Sequence, residues 1–335
     1  MNKSIFNNKV ILITGGTGSF GKKFIEIIYK KYKPKKVIIF SRDEFKQFEL
    51  MKTFKEKYKS IRFFLGDIRD KERLIVALKG VDIVIHAAAL KQLTLAEENP
   101  QECIKTNING SQNVIDACIY SKVKIVMALS TDKAANPVNL YGATKLAAEK
   151  IFINSNILSS DDSSIFSVVR YGNVINSRGS VIPYFKSLIK NGNKTLPLTD
   201  LEMTRFFITL EQSVDFVISC VEKMIGGEIF VPKLPSIKIS DIGKALNPKI
   251  KYKIIGRRAG EKIHEIMCPA ETDILTYEFK NFYLIVPSIK LPLRNNFQKI
   301  IKKYNGRKVV PDFSYSSEKN NFLSIKEIKD IINLE

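Results

Sequence analysis

The stretch Val10-Ile11-Leu12-Ile13-Thr14-Gly15-Gly16-Thr17-Gly18-Ser19-Phe20-Gly21 decides the fold. A short apolar run gives way to a glycine-punctuated turn, and an amphipathic segment, Lys22 to Lys31, follows. Strand, turn and helix in that order are what a dinucleotide-binding βαβ unit requires. Gly16 and Gly18 let the backbone turn and approach a pyrophosphate, Gly21 lets helix and strand pack closely, and the free N–H groups of the helix start face the phosphates. Gly15, Thr17, Gly18, Ser19, Phe20 and Gly21 are therefore candidate cofactor contacts. A GxGxxG alone is a weak signal; its place directly after the first strand strengthens it.

Outward from this turn the pattern repeats. Lys36 to Phe40, Ile61 to Leu65, Asp82 to His86, Ile125 to Leu129 and Ile165 to Arg170 read as strands, with helices over Pro100 to Tyr120 and Leu140 to Asn154. Such alternation predicts an α/β fold, a Rossmann-type doubly wound parallel sheet over residues 1–170. Past residue 170 the alternation loosens. Residues 171–335 read mainly as a smaller carboxyl-terminal substrate lobe and tail, with parts of 171–235 returning to the sheet. Capping-box signals at Thr209 to Gln212 and Ser324 to Glu327 open two helices there.

The chain has 335 residues, 44% of them hydrophobic, and a formal charge of +20. Its lysines are spread along the whole sequence, which is a solvated surface rather than a nucleic-acid footprint. Cys103, Cys118, Cys220 and Cys268 show no paired spacing and read as reduced core thiols; no metal site is expected. Met1 to Asn8 is short and polar, so neither a signal peptide nor a membrane partner is expected, and the reading is a cytoplasmic protein.

The second strand ends in Ser41-Arg42-Asp43-Glu44. Serine and arginine suit a ribose 2′-phosphate, favouring NADP, while Asp43 and Glu44 keep NAD open. Asp67 and Ile68 would sit under the adenine, and the small residues Ala87 and Ala88 would let the cofactor lie on the backbone. His86 is a lone histidine in an apolar strand and reads as structural. Lys91 could reach a ribose or the substrate.

The chemistry is concentrated in Leu129-Ser130-Thr131-Asp132-Lys133 and Tyr141-Gly142-Ala143-Thr144-Lys145. The first segment emerges at a strand's carboxyl end, where open α/β sheets hold ligands. Tyr141 and Lys145 lie on one helix face, so the ammonium is expected to lower the phenol from about 10 and make it an acid or base for a hydroxyl. A Tyr-x-x-x-Lys pair by itself is commonplace; Thr131 and the glycine turn give it meaning. In the later loops, Asn173, Arg178, Arg205 and Arg258 are suited to a pyrophosphate and a uracil base, though each arginine alone is more simply a surface ion pair.

A Ser/Thr, Tyr, Lys trio after such a turn resembles the extended short-chain dehydrogenase/reductases. With Ala87 to Lys91, Ser130 to Pro137, Arg170 to Val174, Met203-Thr204-Arg205 and Gly260-Glu261-Lys262, the chain is similar to their configuration-inverting UDP-N-acetylglucosamine 4,6-dehydratases. Asp132-Lys133 is the most specific part, since retaining sugar dehydratases carry Asp-Glu there. Gln92, Thr94 and Ala259 depart from the family pattern. The resemblance implies UDP-N-acetylglucosamine as substrate, tightly held NADP, a homohexamer and service in the pseudaminic acid route to glycosylated flagellin. By the same resemblance Thr17 to Phe20, Ser41, Arg42, Asp43, Glu44, Phe45, Lys46, Asp67, Ile68, Ala87, Lys91, Leu129, Ser130, Tyr141, Lys145 and Val174 would contact NADP. Lys91, Asn173, Arg178, Gly179, Ser180, Val181, Ile182, Pro183, Arg205, Arg258 and Glu261 would contact the nucleotide sugar.

In the implied mechanism Tyr141 takes the C4 hydroxyl proton, Lys133 removes the C5 proton and Asp132 protonates the departing C6 hydroxyl. Lys133 must then lose its charge, a fall from about 10.4 to about 7 that needs roughly 5 kcal/mol. Burial, Lys145 and a positive nicotinamide are expected to supply it. Two other readings compete. A nucleotide-sugar 4-epimerase shares Thr131, Tyr141 and Lys145 but needs no second acid/base pair, and a Rossmann-fold redox sensor needs no activated phenol.

Overall fold

The computed structural model describes residues 4–158, 164–175, 179–291 and 296–334. The first half runs β1 (Val10–Thr14), α1 (Ser19–Lys31), β2 (Lys36–Ser41), α2 (Glu44–Lys57), β3 (Ile61–Leu65), α3 (Lys71–Ala77), β4 (Ile83–His86), α4 (Leu93–Glu98), α5 (Pro100–Ile104), α6 (Gly110–Tyr120), β5 (Ile125–Thr131), α7 (Leu140–Leu158) and β6 (Ile165–Tyr171). Then come β7 (Asn173–Val174), α8 (Val181–Lys190), β8 (Thr195–Leu198), β9 (Thr204–Ile208), α9 (Leu210–Val221), β10 (Ile229–Pro232), β11 (Ser236–Lys238), α10 (Ile239–Leu246), β12 (Lys251–Ile254) and β13 (Ile266–Cys268). The chain closes with β14 (Thr276–Glu278), β15 (Phe282–Ile285), α11 (Phe297–Lys303), β16 (Arg307–Lys308), β17 (Tyr315–Ser316) and α12 (Ile325–Leu334).

Every residue of β1 is buried, because helices cover both faces of the sheet. That is why the strand reads as an unbroken apolar run instead of alternating. The main sheet has the order β16-β14-β15-β10-β6-β5-β4-β1-β2-β3, and the block from β10 to β3 is parallel throughout. One core lies between this sheet and α1, α2, α9 and α11; the other lies under α3, α6 and α7. The expected doubly wound α/β architecture is present.

The return to the sheet extends past residues 171–235. After β10, the strands β15, β14 and β16 add an antiparallel edge. Antiparallel edge strands carry no βαβ period, so the alternation in the sequence does not announce them. A third core, built from Ile182 and Phe185 of α8, Leu196 and Leu198 of β8, Ile242 of α10 and Ile328 and Ile332 of α12, holds the lobe beside the sheet. The tail therefore supplies part of that core.

Two local features shape the site. The single helix expected over Pro100 to Tyr120 is broken by a π-helical turn at Lys105–Asn109. There the Asn107 side chain bonds both Leu90 N and Leu90 O, at 2.8 and 2.9 Å, and Thr144 Oγ1 at 3.0 Å. The extra residue in that turn lets one amide tie three segments together. Meanwhile β5 stays paired with β6 through Ser130 and Thr131. This delivers Thr131 to the sheet's carboxyl edge, where a 3₁₀ turn, Asp132–Ala134, follows at once.

Candidate active site

A cleft of about 780 Å³ opens at the carboxyl ends of the parallel strands. Its floor is the glycine turn, Gly15 to Gly21, with Ala87 to Lys91 after β4 beside it. A Cβ on Gly21 would stand 2.5 Å from Gly16 Cα, so only glycine lets α1 pack this closely on the turn. Ser41, Arg42, Asp43, Lys46, Asp67 and Ile68 line one end; Leu129 to Lys133, Tyr141, Lys145, Asn173, Val174, Gly179 and Ser180 line the other. Of the eight buried side-chain polar atoms without a hydrogen-bond partner among the described residues, five belong to cleft residues: Thr106, Ser130, Asp132, Asn173 and Ser180. Such atoms are costly unless a ligand satisfies them. The glycine turn, the amino-terminal end of α1 and the orphaned hydroxyl of Ser130 fit a dinucleotide.

The carboxylate of Asp43 caps α2, accepting from Lys46 N at 2.9 Å, and pairs with the Lys46 ammonium. Arg42 stands half-exposed at the strand end, 3.7 Å from Asp67. The acid that would hold a ribose hydroxyl is thus engaged in the cap. His86 is buried between Thr14 Oγ1 at 2.8 Å and Ser111 at 3.4 Å. Burial first, then Lys145, pulls it down to about 3. It is a neutral structural ring.

At the other end, Lys145 Nζ donates to Leu129 O at 2.7 Å. Burial pulls this lysine down to about 8, against the attraction of Glu149. Tyr141 differs from expectation: burial pushes it up to about 12, with Asp132 adding and Lys133 and a hydrogen bond to Thr131 opposing. The cation that opposes this rise is Lys133; Lys145, at about 8, has lost its charge before a phenol at about 12 ionises.

Lys133 also reverses its expectation. Burial lowers it, but two carboxylates outweigh that and hold the ammonium above the ordinary lysine range. Asp132 Oδ1 stands 3.0 Å and Glu265 Oε1 3.1 Å from its Nζ. Thr131 Oγ1 donates to Asp132 Oδ1 at 2.9 Å. Nothing in the local sequence pattern marks Glu265, which arrives through the fold. The segment carrying it wraps the turn that holds Asp132 and Lys133: Asn139 Nδ2 donates to Gly260 O at 2.8 Å and Lys262 Nζ to Ala135 O at 2.7 Å.

Several expected contacts lie outside the cleft wall. Glu44 and Phe45 open α2 with their side chains in solvent. Val181 and Ile182 pack into the lobe core, which is what orients α8, and Pro183 sits beside them in that helix. Arg205 is buried, donating to Thr204 O, Ile263 O and Lys262 O at 2.7 to 2.9 Å, with its Nε 3.7 Å from Glu265 Oε1. Arg258 is exposed, and Glu261 folds back to accept from its N–H at 3.4 Å. Arg178 lies outside the described residues. Gln92, where the chain departs from the family pattern, lines the cleft, and Tyr171 lines it without having been expected to.

The nucleotide cleft and the Thr131, Tyr141, Lys145 trio define a short-chain dehydrogenase/reductase of the extended, sugar-nucleotide kind. The chain belongs to the polysaccharide biosynthesis protein family, which it matches over residues 11–287. It is 57% identical, across 98% of both chains, to a Campylobacter jejuni protein named UDP-N-acetylglucosamine 4,6-dehydratase (inverting). A Rickettsia bellii protein named UDP-glucose 4-epimerase is 39% identical, over 98% of this chain and 96% of its own. Among solved structures, Pen from Bacillus thuringiensis superposes with a TM-score of 0.88 at 35% identity, covering 98% of each chain.

Proposed function

We propose that this protein is an NADP-dependent carbon–oxygen lyase. It dehydrates UDP-N-acetylglucosamine at C4/C6 with inversion at C5, giving UDP-2-acetamido-2,6-dideoxy-beta-L-arabino-hex-4-ulose. The observation that carries the reading is Asp132 and Lys133 side by side in the cleft with Tyr141. Its 57% identical relative supports the substrate. An epimerase needs Tyr141 but has no work for a second acid/base pair.

Bound NADP⁺ would supply hydride transfer, taking a hydride from C4 and giving it back at C6 as a proton is returned to C5 on the opposite face. Tyr141 takes the C4 hydroxyl proton, and the ketone so formed acidifies the hydrogen at C5. Lys133 and Asp132 begin as an ion pair. One proton passed from Nζ to Oδ1 across 3.0 Å leaves an amine and a carboxylic acid, the base for C5 and the acid for the departing C6 hydroxyl. Thr131 steadies Asp132, and Lys145 would face the nicotinamide ribose. Ser41, Arg42 and Lys46 would hold the 2′-phosphate; Asn173, Gly179 and Ser180 would meet the sugar nucleotide.

The lobe formed largely after residue 170 is read as the substrate lobe. No helix among the described residues is long and apolar enough to cross a membrane. A cytoplasmic homohexamer that feeds pseudaminic acid synthesis for flagellin completes the proposal. Incubation with UDP-N-acetylglucosamine in deuterated water tests it. A 6-deoxy-4-ketose with deuterium at C5 is the expected product; UDP-N-acetylgalactosamine would establish an epimerase instead.

A further inference from the structure

Glu265 is buried, 2% exposed, immediately before β13, and it faces a cluster of cations drawn from separate segments. Lys133 Nζ lies 3.1 Å from Oε1, Arg205 Nε 3.7 Å from the same oxygen, and Lys262 Nζ 3.8 Å from Oε2. Its backbone is fixed as firmly: Ser317 Oγ accepts from Glu265 N at 2.9 Å, and Ser317 N donates to Glu265 O at 2.8 Å. Arg205, through the carbonyls of Lys262 and Ile263, clamps the strand of chain leading to it. The backbone is thus held in place, while the carboxylate has one cation in close contact, the cleft lysine, and its Oε2 has no hydrogen-bond partner among the described residues.

We propose that Glu265 is the positioning residue of the elimination step: it holds the Lys133 amine against Asp132 at the cleft wall and sets the pH at which that amine becomes a base. The proposal rests on the dehydratase reading for its consequence, though not for its geometry. The groups facing Lys133 are Asp132 on its own turn, Glu265 and Lys262 on the wrapping segment, Arg205 on β9 and Tyr141 on α7. Arg170 on β6 adds a positive charge that reaches Asp132. The two carboxylates favour the ammonium; Arg205 and Lys262 oppose it. Without Glu265, Lys133 would face one carboxylate and two nearby cations, and it would give up its proton far more readily. With Glu265 in place the amine stays charged until Asp132 takes the proton, which ties base formation to acid formation in one transfer.

The test compares wild type with Glu265→Gln, which keeps the shape and removes the charge. One readout is the pH profile of kcat for the 4-keto-6-deoxy product. The other is the pH dependence of Lys133 acylation by acetic anhydride, followed by mass spectrometry, which reports the amine whatever the activity. Both should move to lower pH in Glu265→Gln by about 1 to 3 units, the usual effect of an opposite charge at this range. Glu265→Asp, with its carboxylate withdrawn by one methylene, should move the same way by less, and it carries the test if the glutamine variant does not fold. An unmoved acylation profile, or a uniform fall in kcat with no shift, overturns the proposal. Failure of wild type to release a 4-ketose overturns the dehydratase reading instead, leaving the acylation result to judge Glu265.

Discussion

The backbone of Gly142 lies against the Lys133 carbonyl so closely that a Cβ there would overlap the oxygen and stand 3.1 Å from its carbon. The helix that carries Tyr141 is thereby seated directly on the turn that carries Asp132 and Lys133.

Replacement of Gly142 by alanine should push that turn away from the helix. Displacements of about 1 Å at reacting groups cost on the order of 100-fold. Turnover of UDP-N-acetylglucosamine should fall by about that factor, while NADP affinity, measured by fluorescence titration, stays at the wild-type level because Gly142 does not line the cleft. Wild-type turnover in Gly142→Ala would remove the argument for this contact.

Lys133→Arg separates charge from basicity. Arginine can keep the pairing with Asp132 and Glu265 yet does not give up its proton at working pH. Water loss should drop by about 100- to 10,000-fold, the usual worth of a positioned base, with NADP still bound and the thermal midpoint little changed. Lys133→Met should also lose activity and be destabilised by about 3 to 5 kcal/mol, because two buried carboxylates lose their cation. Normal dehydration by the arginine variant would refute the base role.

Arg42 decides the cofactor if the 2′-phosphate lies at the end of β2. Arg42→Ala should weaken NADP binding about tenfold, the worth of one exposed charge-assisted hydrogen bond, and leave NAD binding unchanged. Isothermal titration with each dinucleotide reads the difference. Equal losses for both would count against NADP selectivity.

Glu228 supplies a stability switch distant from the chemistry. It is fully buried, and that burial raises its carboxyl from 4.5 to about 7 despite backbone hydrogen bonds. A raised folded value means that its contribution is complete below the unfolded value and is lost as pH rises through about 7. The loss is on the order of 3 kcal/mol. Denaturant midpoints for wild type should therefore fall between pH 5 and 8, whereas Glu228→Gln should show a flatter dependence. Parallel pH slopes would exclude Glu228 as the source.

The sequence by itself determined the parallel sheet, the glycine turn, the capping boxes and the clustering of Thr131, Asp132, Lys133, Tyr141 and Lys145, because each rests on local spacing. Strand and helix periods are local, and two residues four apart on a helix share a face wherever that helix goes. Only the tertiary structure decided that Glu265 and Asp132 share Lys133, that Arg205 serves the backbone instead of the cleft, and that β14 to β16 widen the sheet. An amine's charge depends on which groups surround it in space, and those groups come from β9, the approach to β13 and the turn after β5. No period in the chain records their meeting; the buried field they create belongs to the fold as a whole.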